Sequence, residues 1–186
     1  MPSLEAPLSK IACLGWGSLI WNAGELPVAE WREDGPSLPI EFARRSKNGR
    51  VTLVIAPGAA EVTVLWARLD VGDLEEAITL LAKREGCPPH RIGHWPGPAS
   101  VGSNAIGAWA EDRGISGIVW TALPANWNQT AGRVPTLAEL VGYLRTLEGD
   151  TAAAAEHYIR SAPPQIQTGL RPNLEAALSD LSKGPS

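Results

Sequence analysis

The sequence predicts an α+β fold: a small, closed or half-closed, mainly antiparallel β-barrel with flanking helices. Three observations lead there. Apolar, β-branched runs come mostly first along the chain, and helical periodicity dominates its last part. The 19 Gly and 16 Pro among 186 residues fall between those runs with no short period, as turns joining short strands do. Regular alternation of strand and helix, the mark of a doubly wound parallel sheet, is missing.

Each element has its own signal. Residues 10–14 (Lys-Ile-Ala-Cys-Leu) read as a buried strand that runs into a glycine turn at 15–18. Residues 38–42, 50–56 and 61–69 are rich in Val, Leu, Ile and Thr and read as strands, and Pro57-Gly58 predicts a hairpin between the last two. Residues 72–85 form the most legible helix. Asp73 and Glu76 have capping-box spacing, Leu74, Ala77, Ile78 and Leu81 mark one apolar face, and Gly86 stands at the stop position. Strands are expected at 104–110 and 115–121, then helices at 136–147, 151–161 and 171–182. No repeat or long linker divides the chain, so 1–186 is read as one domain, with 183–186 (Lys-Gly-Pro-Ser) as a disordered tail.

Composition excludes several function classes. A net charge of −4 is poor equipment for gripping a phosphate backbone, and the densest basic cluster is only Arg44, Arg45, Lys47 and Arg50. No nucleic-acid partner is expected. The apolar stretch from Ile11 to Trp21 is broken by Gly-Trp-Gly-Ser and too short to span a bilayer, so no membrane partner is expected either. That stretch also has no basic leader or small-residue cleavage site. Cys13 and Cys87 are too few for a disulfide scaffold and suit a reducing compartment, which makes a cytoplasmic location the expectation.

Glu85 is the acid that stands apart. At about 100° per residue it falls within roughly 20° of Leu74, in the middle of the apolar face, whereas Glu75, Glu76 and Lys83 point elsewhere. Burial disfavours a charged carboxylate, and so does the negative end of the helix dipole. Both effects push the group toward the neutral range that a general acid/base requires. The alternative is a carboxylate swung into water from a frayed last turn, or paired with Arg84 or Arg91.

The turn Gly15-Trp16-Gly17-Ser18-Leu19-Ile20 follows a strand and can aim consecutive backbone N–H groups at a small anion such as a carboxylate. Ile20 occupies the third-glycine position of a dinucleotide fingerprint, and the Ser18 context is not a nucleophile elbow. A purely structural tight turn is the competing reading. Cys87, His90 and His94 have a zinc-like spacing, but Pro88-Pro89 and Gly93 prevent a regular helix from aligning them, so no metal is expected. Cys87 also follows a helix C-terminus, the wrong end for a thiolate. Among the eight Trp, Trp16 and Trp21 are candidates for pocket walls, and Trp66, Trp109 and Trp120 for core.

Several segments together resemble the ChaC-type γ-glutamylcyclotransferases. Leu-Gly-Trp-Gly-Ser-Leu-Ile-Trp at 14–21 is similar to that family's Phe-Gly-Tyr-Gly-Ser-Leu-Ile-Trp opening. Phe42-Ala43-Arg44-Arg45 and Gly49-Arg50-Val51-Thr52-Leu53 resemble its Arg-Arg-Phe and Gly-Arg-Val-x-Thr-Leu segments. Val64-Leu65-Trp66-Ala67-Arg68-Leu69 resembles its next strand, and the 80–86 helix end its Leu-Asp-x-Arg-Glu-Lys. Glu156-His157-Tyr158-Ile159 matches more faintly a helix in which the family has a comparable Tyr. The resemblance implies a barrel-like fold and cleavage of a γ-glutamyl amide, with release of 5-oxoproline and no cofactor. It makes Glu85 the proton shuttle and the 15–20 turn the holder of the glutamyl moiety. Departures are local: Trp16 replaces Tyr, the segment after Arg45 is shorter, and Gly86-Cys87-Pro88-Pro89-His90 replaces Gly-Tyr-Arg. The competing reading is a binding module that holds an amino-acid-like ligand in the same pocket; an interaction protein with no small-molecule site is the third.

Overall fold

The computed structural model describes residues 10–182 and bears out the α+β class. The tail expected at 183–186 lies outside the described residues. Strand β1 (Ile11–Gly15) is fully buried at the centre of a five-stranded sheet. On one side it pairs antiparallel with β6 (Leu65–Leu69), which in turn pairs with β2 (Val28–Arg32). On the other side it pairs parallel with β8 (Gly117–Thr121), which is flanked antiparallel by β7 (Ile92–Trp95). A second sheet has β3 (Ser37–Arg45) at its centre, between β4 (Val51–Ile55) and β5 (Glu61–Thr63).

Three expectations need correction. The closed barrel does not form: the strands make two separate sheets, one of them mixed because β1 and β8 run parallel. The hairpin expected across Pro57-Gly58 is also absent, because β4 and β5 both pair with β3 instead of with each other. The true hairpin is β3–β4, closed by a turn in which the Ser46 N–H donates to the Arg50 carbonyl and Gly49 takes a φ of 75°. Finally, 104–110 is not a strand. It lies within helix α2 (Ser103–Asp112), where Ile106 and Ala110, one turn apart, are buried, and where Gly107 lets the helix close onto the Trp95 indole. Alternating small and apolar residues there imitate a strand, and only tertiary packing distinguishes the two.

The 61–69 run is bent at Val64, whose N–H and carbonyl bond to Pro36 and Gly35, so the chain passes from one sheet to the other. Helix α1 (Leu74–Glu85) packs over β8 and β7, burying Ala77, Ile78, Leu81 and Ala82 in one cluster with Ile11, Cys13, Leu69 and Val119. Its cap departs slightly from the expected box. Asp73 accepts from the Glu76 N–H at 2.9 Å as expected, but the Glu76 carboxylate reaches Gly72 rather than Asp73. Gly86 terminates the helix at φ 61°, with the Gly86 and Cys87 N–H groups donating back to Lys83 and Ala82. That cap fixes the direction in which Glu85 leaves the helix.

Helices α3 (Leu137–Leu144), α4 (Gly149–Ser161) and α5 (Arg171–Ser182) close the other side of the core. Buried Glu41 on β3 ties in the C-terminal part, accepting from Thr168 Oγ1 at 2.6 Å and from the Leu170 N–H at 3.1 Å. Trp120 is core as expected. Trp66 and Trp109 instead form a half-buried edge-to-face pair at its margin. Among the described residues, no helix is long and apolar enough to cross a membrane.

Candidate active site

A cavity of about 870 Å³ opens between the turn after β1, the β3–β4 hairpin, the C-terminal end of α1 and α4. Gly15, Trp16, Gly17, Ser18 and Leu19 line it from one side and Glu85 from another. The turn and the isolated acid, 66 or more residues apart in sequence, therefore share one space. Ile20, expected with them, is not among the lining residues; it is half-buried against the core, and its Cδ1 closes over Gly15. Trp16 and Trp21 both wall the cavity, as expected, Trp16 anchored by its Nε1–H on the Leu53 carbonyl at 3.3 Å.

The turn keeps its donors free. The Ile20 N–H donates to the Gly17 carbonyl and the Asn22 N–H to the Ser18 carbonyl, yet no hydrogen bond among the described residues engages the N–H groups of Gly17, Ser18 or Leu19. Gly17 is required by a close approach: a Cβ there would stand 2.3 Å from the Tyr158 hydroxyl. Tyr158, on α4, accepts the Leu53 N–H at 3.3 Å and so pins the turn, β4 and α4 to one point.

Glu85 is partly buried, its side chain 14% exposed, but it is not unpartnered. Arg84 donates to its Oε1 at 2.6 Å, which is one of the two pairings the sequence allowed. The same guanidinium reaches back to Ser18 Oγ and to the Asn22 carbonyl, so Arg84 clamps the 15–22 segment to the helix end that carries Glu85. The Glu85 charge acts on three neighbouring groups, Cys13, Cys87 and Tyr158. Burial first, and then Glu85, pushes up the thiols of both Cys13 and Cys87, so neither offers a thiolate at neutral pH. His90 and His94 lie on a short 3₁₀ turn and on β7. Among the described residues, no three His, Cys, Asp or Glu are arranged to hold a metal.

Sequence reasoning missed the cavity's charge. Arg44, Lys47, Arg50, Lys83, Arg84 and Arg91 line it, against two acids, Glu25 and Glu85. Lys83 pairs with Glu25 and Arg84 with Glu85, which leaves four cations with no acidic partner among the described residues. Three of these belong to the basic 44–50 cluster, weighed above only against a phosphate backbone. Arg45 is the exception: it stacks on Trp127 and Tyr143, away from the cavity. Tyr158 was visible only as a faint motif match.

Burial pushes the Tyr158 phenol from an ordinary 10 up to about 12, with the Leu53 N–H opposing and the Glu85 charge adding to the rise. The fold thus favours the neutral phenol. That contribution is whole below pH 10 and is lost as the pH climbs through 12. At pH 8, Tyr158→Phe is expected to cost about 1 kcal/mol for the lost hydrogen bond. Near pH 12 the wild type should lose roughly 2 kcal/mol that the variant keeps, so the order reverses. Urea unfolding of both proteins at the two pH values checks this; a constant gap would contradict it.

No family model matches the chain, and neither does any curated protein or solved structure.

Proposed function

We propose that the protein is a γ-glutamylcyclotransferase-like enzyme that cleaves a γ-glutamyl amide and releases 5-oxoproline. The observation that carries this reading is the meeting, in one cation-rich cavity, of a partly buried glutamate and a turn with free N–H donors. Two sheets with the chain crossing between them at Val64 are compatible with a half-closed form of the barrel-like fold of the family that the sequence resembles. Two free cysteines suit a cytoplasmic setting.

The substrate's α-carboxylate sits on the N–H groups of the turn, with the unpaired guanidinium of Arg50 nearby on the same wall. This pose folds the glutamyl chain so that its α-amine faces the γ-carbonyl carbon. Glu85 takes a proton from the α-ammonium, and the freed amine attacks the carbonyl. The new C–N bond closes a five-membered ring, and the original amide C–N bond then breaks. Over the reaction the attacking nitrogen gives up two protons and the departing nitrogen gains two, so no co-reactant is consumed. Because both reacting groups belong to one molecule, orientation supplies most of the advantage and one proton shuttle suffices. Arg84 holds Glu85 in place for that transfer.

The Arg84–Glu85 pair also favours a second reading, a binding module whose glutamate serves only to position Arg84. Product analysis separates the two. Incubation with glutathione and a panel of γ-glutamyl amino acids should yield 5-oxoproline, detected by mass spectrometry. A folded protein that binds these compounds without releasing it is the binding module.

A further inference from the structure

Four cations that line the cavity have no acidic partner among the described residues. Arg50 lies near Tyr158, its guanidinium 5.9 Å from the ring centre, on the side of the glycine turn. Its Nε is buried and has no hydrogen-bond partner among the described residues. Arg44, Lys47 and Arg91 form a separate arm. Arg44 and Arg91 both border the 122–124 segment, Arg44 donating to the Pro124 carbonyl at 2.9 Å and the Arg91 carbonyl accepting from the Ala122 N–H, and Lys47 lines the same cavity from the β3–β4 turn. Three like charges lining one cavity repel one another unless an anion joins them.

Two of the three arm residues stand where the chain departs from the family it resembles. Lys47 is in the shortened turn after Arg45, and Arg91 ends the short 3₁₀ turn that follows Cys87-Pro88. The glutamyl end of a substrate already has its own donors at 17–19 and Arg50, so the arm is left for the amine portion. Glu85, which must reach the departing nitrogen, lines the same cavity as the arm, two residues before Cys87.

Resting on the cyclotransferase reading, we propose that this arm recognises the leaving amine, and that the preferred substrate is a γ-glutamyl amide whose amine portion carries two negative charges. An acidic amino acid and a phosphorylated amine both have that chemistry. A neutral amine leaves Arg44, Lys47 and Arg91 uncompensated, and a single carboxylate satisfies them only in part.

The test compares γ-glutamylmethylamide, γ-glutamylglycine, γ-glutamylglutamate and γ-glutamylphosphoethanolamine. Two readouts are taken: kcat/KM with wild type, and affinity by tryptophan fluorescence with Glu85→Gln. Both should rise from the methylamide to the dianionic compounds by at least about tenfold, and the gain should shrink with added salt. Whichever of the two dianionic compounds ranks first identifies the source of the charge. Arg91→Gln and, independently, Lys47→Gln should narrow the ratio between dianionic and neutral compounds. Charge-ranked binding without turnover would sustain the arm and remove the enzyme reading. Turnover with no charge ranking would overturn the arm and leave the enzyme reading intact, and loss of both would overturn both.

Discussion

Glu85→Gln should lower 5-oxoproline release by about 10²–10⁴-fold while leaving the affinity for γ-glutamyl compounds within a fewfold of wild type. The amide is nearly isosteric, and its oxygen can still accept the Arg84 hydrogen bond now made at 2.6 Å to Oε1. Only the ability to take up and return a proton is lost, and that ability contributes about 10²–10⁴ in enzymes that use it. The clamp from Arg84 to Ser18 and Asn22 does not depend on the substituted atom, so the turn should stay in place. Thermal melts of the two proteins should therefore nearly coincide. Unchanged release would remove Glu85 from the chemistry.

Gly17→Ala should have the second large effect, on stability and on turnover together. Its new Cβ would stand 2.3 Å from Tyr158 Oη and 3.3 Å from Cζ, within a point where the turn, β4 and α4 meet. Either the turn or α4 must shift, at a cost of about 1–3 kcal/mol for overpacking a filled site. A displacement of about 1 Å at the turn would carry the donor N–H groups away from the bound glutamyl moiety and cost on the order of 10²-fold in rate. The double variant Gly17→Ala/Tyr158→Phe is informative. Removing the hydroxyl relieves the closest clash, so the double variant should be more stable than the sum of the singles. Urea midpoints of the four proteins measure this, and strict additivity would contradict the packing argument.

What the sequence made legible follows the range of the physics. The β1 strand, its glycine turn, and α1 with its Asp73 cap and Gly86 stop are determined by neighbours a few residues away, and all appear as expected. The helical wheel isolates Glu85 for the same reason. Strands β2 and β7 escaped notice because they are short edge strands; Glu30 and Arg32 stand exposed on the first, and Gly93 in the second is pressed against Trp120. The Gly- and Pro-rich 86–103 segment thus contains a strand. The hairpin expected at Pro57-Gly58 failed because strand partners are chosen by the sheet: β3 takes both β4 and β5. The cavity's charge is nonlocal in the same way. Arg44, Arg50, Arg84 and Arg91 converge only after two strands, a helix end and a turn are assembled.

The most direct measurement is the fate of oxygen and nitrogen in the products. A γ-glutamyl amide labelled with ¹⁵N at its α-amine is turned over in H₂¹⁸O, and the products are weighed by mass spectrometry. Attack by the substrate's own amine yields 5-oxoproline that keeps the ¹⁵N in its ring and contains no ¹⁸O, together with the free amine. Glutamate carrying ¹⁸O in its γ-carboxylate would show that water, not the α-amine, attacks, and would contradict the account.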